Sequence, residues 1–242
     1  EAALKDTAIR AMQNQINAHF IYNVLESIKM MAEINEEYTI SDAVTALGEM
    51  LHYNMRWNKI LVTVQDEMNY IQNYVELMNL RYDFTITLSV QIPENLYRQD
   101  IPKMSLQPIV ENSIYHGLEQ KMEKGHLDIK ITATDQHLII MVSDDGVGME
   151  KEQVKKMNEV LRSLRLEEMQ TESSRGGIAV RNVNNRIKLL FGEEYGISIY
   201  SQSGAGTDVE ITLPPNYDGG SYASEKVGGC NAEKQENIHF KP

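Results

Sequence analysis

The hydrophobic period of this chain changes once, near Asp83, and that change limits the fold more than any other feature. Upstream, Met68, Ile71, Tyr74, Val75, Met78 and Tyr82 recur at helical spacing. Downstream, TITLSVQI from Thr85 to Ile92 alternates as a strand does. Periods of about 3.6 and about 2 residues cannot serve one kind of element, so a helical region must precede a region containing a sheet.

The upstream region reads as three helices. The first runs from Leu4 to about Met31 without Gly or Pro. The second runs from about Asp42 to Trp57 with Ser41 as its cap. In the third, Thr63 is the N-cap, Asp66 and Glu67 lie in the first turn, and the end falls near Tyr82. Amphipathic helices of this length bury their stripes by packing as a hairpin or bundle, here expected between two chains. Downstream, Pro102 to Glu119 reads as a helix and Leu127–Thr134 with Leu138–Ser143 as a hairpin around Asp135-Gln136. Helices from about Glu150 and over Ala179–Phe191 follow. Two strands, Ile197–Ser203 and Thr207–Leu213, joined by Gly204-Ala205-Gly206, close the region. The expected class is α+β: a helical region over 1–83, a two-layer α/β sandwich with a mixed sheet and helices on one face over 84–215, and a mobile polar tail over 216–242.

A formal net charge of −12 argues against nucleic acid, whose phosphates need clustered Lys and Arg. The single cysteine, Cys230, forms no internal disulfide and suits a reducing compartment. No run approaches the roughly 18 apolar residues of a membrane span, and no signal peptide is evident. The expectation is a soluble intracellular portion, beginning at Glu1 inside a longer chain.

Five stretches carry chemistry. In QINAHFIYNVLESI, His19 lies about 60° to one side of Ile16 on the helix, flanked by Asn17 and Asn23. A polar side chain beside a packed seam is either a satisfied seam residue or a reactive one. In QPIVENSIYHG, Asn112 and His116 share a helix face, so an amide oxygen and an imidazole can meet one anion or metal. In SDDGVGM, a carboxylate at a strand end precedes Gly-x-Gly, which suits a hydrogen bond to an exocyclic amine and close approach of a flat ring, or simply a tight turn. RGGIAVRNVNNRI places glycines directly before a helix, where backbone N–H groups suit phosphate. GAGTDVEITLP reads as a hairpin turn and an edge strand.

In this order and at these separations, HFIYN, ENSIYHG, DDGVGM, GGIAVRNV and GAGTDVEITLP resemble the H, N, G1 and G2 boxes of bacterial sensor histidine kinases, specifically the LytS/YesM-type family with its GHKL ATPase half. The resemblance covers about residues 4 to 214. It implies ATP and Mg²⁺ as cofactors, a homodimer, a response regulator receiver domain as partner, and a membrane sensor segment upstream of a cytoplasmic portion. Residue by residue it makes His19 the phosphoacceptor, Asn112 the Mg²⁺ ligand and Asp144 the reader of the adenine amine. Gly146, Gly148 and Gly177 match box glycines, with His116, Ala179 and Arg175 also at the nucleotide. The stretch from about Met149 to Gly176 becomes a lid offering Lys155, Lys156, Arg162, Arg165 and Arg175 to phosphates.

Three positions depart from the pattern. Ala18 stands where the family has proline, which removes an expected kink but not the nucleophile. Ala179 replaces the second G2 glycine. Phe20 follows the histidine where many such kinases carry an acid, so the base must come from elsewhere; Glu111 is the candidate, with Glu26 a poorer one and Asn23 placed to orient the imidazole. The competing reading is a non-catalytic GHKL-type scaffold or conformational ATPase, which has no use for His19.

Overall fold

The computed structural model describes residues 19–55, 59–121, 124–162 and 175–215. The start of the first helix with Ala18, the second helix's end at Trp57, the segment 163–174 with Arg165, and the tail from 216 with Cys230 lie outside the described residues.

Two helices form an antiparallel hairpin: α1 over residues 19–34 and α2 over Tyr38–Met55. The turn passes through Glu36 at φ 60, a left-handed conformation uncommon for a residue with a side chain. Ser41 does not cap α2. It lies inside the helix, buried, and its hydroxyl donates to Glu33 Oε1 across the turn at 3.1 Å. Serine favours caps because its hydroxyl reaches local backbone, and here a side chain on the neighbouring helix supplies the partner instead.

The third helix, α3 (Val64–Arg81), starts as expected. Thr63 Oγ1 accepts from the Asp66 N–H at 3.1 Å, and Asp66 Oδ2 accepts from the Thr63 N–H at 3.2 Å. Just before it, β1 (Leu61–Thr63) pairs antiparallel with β3 (Asp100–Pro102). Neither three-residue strand is long enough to show alternation. Pro102 therefore ends a strand and does not open a helix; the helix expected there begins at Gln107.

The main sheet runs β2 (Ile86–Gln91), β4 (Gly125–Ala133), β5 (Leu138–Asp144), β7 (Gly206–Leu213), β6 (Gly196–Gln202). The β2–β4 pair is parallel and the other three are antiparallel, so the sheet is mixed. β7 is internal, not the expected edge strand; β2 and β6 are the edges. Along β5, Leu138, Ile140 and Val142 are buried and the residues between them half-exposed, as one covered and one open face require. Asp144 occupies the next inward position of that series.

The covering layer holds α4 (Gln107–Asn112), a π-helical turn (Ser113–Leu118), α5 (Glu119–Lys121), α6 (Lys151–Arg162) and α7 (Arg175–Phe191), the last starting four residues earlier than its pattern suggests. Between the layers, Ile109, Ile114, Leu118, Leu127, Ile129, Ile140 and Ile187 are almost wholly withdrawn from water, each worth roughly 1.5–3 kcal/mol relative to exposure. The apolar cluster continues from there to Met50 and Tyr53 of α2.

Candidate functional site

A cavity of about 460 Å³ opens between the covering helices and the end of the sheet where β5 stops. Asn112, Ser113, His116 and Gly117 line it from the α4 and π segment, Asp144 from β5, Gly148 and Met149 from the loop that follows, Gly177 and Val180 from α7, and Thr207 and Val209 from β7. Four separate sequence motifs meet there. The wider π turn helps: it lets Asn112, Ser113, His116 and Gly117 share one face, where regular α geometry spreads them over a broader arc.

Asp144 is 7% exposed, and burial pushes its carboxyl above the ordinary aspartate value. Hydrogen bonds from the Ser113 hydroxyl and the Gly146 and Thr207 N–H groups oppose that rise. The Gly146 N–H reaches Oδ1 at 3.0 Å. A carboxylate offers about four lone-pair positions, so three protein donors leave capacity for one more, such as an exocyclic amine. Asp145 points the other way. Against the desolvation of its partial burial, the His126 N–H at 2.7 Å and the Lys121 ammonium at 2.9 Å hold its carboxyl below the usual range.

The glycines are sterically required here. A Cβ on Gly146 would sit 2.4 Å from the Gly117 Cα, and one on Gly117 would sit 2.8 Å from Asp144 Oδ1. Gly148 has φ +65, and a Cβ there would lie 2.0 Å from the Gln202 carbonyl oxygen. The loop is pinned by Val147 N–H to Gly117 O, Gly204 N–H to Val147 O, and Met149 N–H to Ser201 Oγ. The Gly204–Gly206 turn thus braces the loop that lines the cavity.

Of the residues singled out in the sequence, the cavity gathers Asn112, His116, Asp144, Gly148 and Gly177, with Gly146 packed behind Asp144. Ala179 is half-buried on α7 and does not line the cavity; Arg175 is the first residue of α7, and its side chain lies outside what the structure describes. Lys155 and Lys156 are exposed on α6, Lys156 beside an adjoining pocket of about 160 Å³ that Gly177 and Arg181 also line. Arg162 is exposed at the end of α6. Glu111, next to Asn112, is half-buried outside the cavity and accepts from Gln107 Nε2 at 2.8 Å. It faces α3, where burial first and then the Glu111 charge push the Tyr70 phenol up to about 12. Ser113, Gly117 and Thr207 escaped the sequence reading. For Gly117 the signal was present, a glycine inside a helical stretch.

His19 and Asn23 stand elsewhere, exposed on α1, with the Asn23 amide nitrogen 3.4 Å from His19 Nδ1. Two turns along, Glu26 lines a groove of about 500 Å³ between α1, α2 and α3, together with Tyr22, His52 and Tyr70. Among the described residues, no cluster of three or more His, Cys, Asp or Glu is arranged to hold a metal. A site with Asn112 as its single protein oxygen still fits Mg²⁺, which keeps several waters and draws its other ligands from phosphates. No helix among the described residues is long and apolar enough to cross a membrane.

Residues 7–86 match the family model described as histidine kinase, and residues 101–217 match histidine kinase-, DNA gyrase B-, and HSP90-like ATPase. The chain is 34% identical over 212 residues to sensor histidine kinase YesM of Bacillus subtilis, covering 87% of this chain and 34% of that protein. It is 28% identical over 214 residues to sensor protein kinase HptS of Staphylococcus aureus, covering 88% and 39% respectively. It thus spans little more than a third of the length of these relatives. A solved histidine kinase domain from a blue-light activated kinase of Erythrobacter litoralis aligns over 81% of this chain and 95% of that one, at 16% identity and a TM-score of 0.44.

Proposed function

Because this chain belongs to the sensor histidine kinase family, we infer that it is the ATP-dependent phosphotransfer core of such a kinase, with residues 1–83 as the dimerisation and phosphotransfer region and 84–215 as the ATP-binding domain. The observation that carries the reading is the convergence of Asn112, His116, Asp144, Gly148 and Gly177 on one cavity, while a solvent-exposed His19 stands on α1.

Asp144 accepts from the adenine amine, and the Gly117–Gly146 contact lets the base lie close against backbone. Asn112 offers its side-chain oxygen to Mg²⁺, and His116 lies toward the phosphates. Held there, Mg²⁺ would neutralise charge on the transferring group, while the protein's own part is in-line positioning. A neutral imidazole nitrogen of His19 attacks the γ-phosphorus; an N–P bond forms as the bond to the ADP oxygen breaks. Asn23, one turn along, fixes the ring. Its amide nitrogen lies 3.4 Å from Nδ1, within reach to hold the imidazole plane. Glu111 takes the proton that the other ring nitrogen gives up as the N–P bond forms. The phosphohistidine then passes its phosphoryl group to an aspartate of a response regulator.

A homodimer is supported by α1, whose Phe20, Ile21, Val24, Met31 and Ile34 are all exposed. An upstream membrane-anchored sensor segment, with this portion in the cytoplasm, accords with the greater length of the relatives. The test is incubation with γ-labelled ATP. Acid-labile label is expected on the chain and absent from His19→Gln, and label that persists in the variant refutes the assignment.

A further inference from the structure

Glu67 is a carboxylate that phosphoryl transfer does not use, yet it is 1% exposed in the centre of the molecule. It lies in the first turn of α3 and meets donors from two other elements. Its Oε1 accepts from the Tyr53 hydroxyl of α2 and from the Met104 N–H; its Oε2 accepts from the Leu106 N–H at 2.9 Å. Arg186 of α7 completes the group: its Nη2 donates to the Met104 carbonyl at 2.8 Å, and its charge favours the ionised Glu67. Lys103 lies just beyond, its Nζ donating to the Tyr53 carbonyl at 2.7 Å, and Asp66 is the neighbouring acid. Burial drives the Glu67 carboxyl upward, and the Tyr53, Leu106 and Met104 donors work against it.

What these contacts hold is the entry to α4. That helix has no side-chain cap of its own at Leu106, and Met104 is kept at φ 59, a conformation unfavourable for a residue with a side chain. A leucine or methionine would fill the same volume without the desolvation a buried carboxylate suffers. The carboxylate accepts from Leu106 at the start of α4 with one oxygen and from Met104 and the Tyr53 hydroxyl with the other. From Leu106 to Asn112 the helix rises about 9 Å, so a tilt of about 10° pivoting at Leu106 moves Asn112 by roughly 1.5 Å. Displacements of that size are enough to cost catalysis heavily.

We propose that Glu67 is a positioning residue of the nucleotide site, capping α4 across space so that Asn112 and His116 face the cavity and tying that geometry to α2 through Tyr53. The proposal rests on the kinase reading above. Glu67→Gln keeps the volume but turns one acceptor oxygen into a donor, which leaves at least one of the three N–H and O–H groups without an acceptor.

The experiment uses the chain as it is, at a temperature where circular dichroism shows wild type and variant fully folded. Affinity for a Mg²⁺-bound non-hydrolysable ATP analogue is expected to fall at least tenfold in Glu67→Gln, while affinity for adenosine, which reaches Asp144 but not the metal position, changes less than twofold. Residue-resolved hydrogen exchange should accelerate at least tenfold at the Met104 and Leu106 amides and not at Val142 of β5. Equal losses for both ligands, or unchanged affinity for both, overturn the proposal, as does unaltered exchange at Leu106. Should Glu67→Gln fail to fold, Tyr53→Phe decides: it leaves the α4 cap and cuts the link to α2. Mg²⁺-analogue affinity within twofold of wild type, with His19 labelling slowed at least fivefold, supports the link, and unchanged labelling overturns it. Wild-type protein that binds no ATP analogue refutes the kinase reading, and the exchange measurement still decides whether Glu67 caps α4.

Discussion

Gly117→Ala should damage nucleotide binding without damaging the fold. The new methyl carbon would lie 2.8 Å from Asp144 Oδ1, 3.2 Å from its Cγ and 3.5 Å from Oδ2. The first distance is well inside van der Waals contact, so the carboxylate must retreat by several tenths of an ångström. Its room to do so is limited, because Asp144 is buried and the Gly146 N–H holds Oδ1 at 3.0 Å. Stretching that bond past the hydrogen-bonding range leaves a buried charged acceptor short of a donor, at about 1–3 kcal/mol. The same displacement moves the acceptor away from the adenine amine, so the loss appears in binding as roughly a 5- to 150-fold weaker affinity. Stability should move little, since alanine gains about 0.5–1 kcal/mol over glycine within a helix and partly offsets the strain. Calorimetric titration with an ATP analogue, alongside thermal unfolding, separates the two. Affinity within twofold of wild type refutes the placement of the base against Gly117 and Asp144, and a loss of folding in proportion to affinity refutes the claim that the clash is local.

Asp144→Asn should weaken ATP binding more than GTP binding, because a carboxylate accepts from the adenine amine whereas an amide can donate to the guanine oxygen. Since burial raises the Asp144 carboxyl and the ionised form is the stronger acceptor, the ratio of wild-type to Asp144→Asn affinity should fall as pH drops through that raised value, earlier on the acid side than for an exposed aspartate; a pH-independent ratio contradicts this. Asn112→Asp should keep nucleotide binding but shift its Mg²⁺ dependence at least threefold, because it adds charge at the ion, and an unchanged Mg²⁺ titration moves the ligand elsewhere. Glu111→Gln should slow autophosphorylation at least tenfold with affinity little changed, as general-base help is worth about 10²–10⁴-fold. A normal single-turnover rate at saturating ATP removes Glu111 from that role, and a joint fall of rate and affinity points to its contact with Gln107 as merely structural.

Local pattern was enough for much of this protein. The capping box at Thr63 and Asp66 is written within four residues, and the structure forms it. Leu138, Ile140, Val142 and Asp144 sit two apart, so alternation alone places the carboxylate on the covered face at the end of a strand. Both follow from backbone geometry that repeats over a few residues. A period states which face of an element is buried. It does not state what buries it. Strand order therefore came only with the tertiary structure, which put β7 inside the sheet, brought Thr207 to the cavity and set the Gly204–Gly206 turn against the loop that lines it. Tertiary packing also set the Gly117–Gly146 contact, the π turn that gathers four side chains on one face, and the β1–β3 pair. Ser41 and Glu67 make the same point from the polar side: each reads locally as a helix-start residue, yet each has its partners 8 to 39 positions away in the chain. A hydrogen bond at that separation leaves no periodic trace in the sequence, because it depends on where two independently formed elements meet.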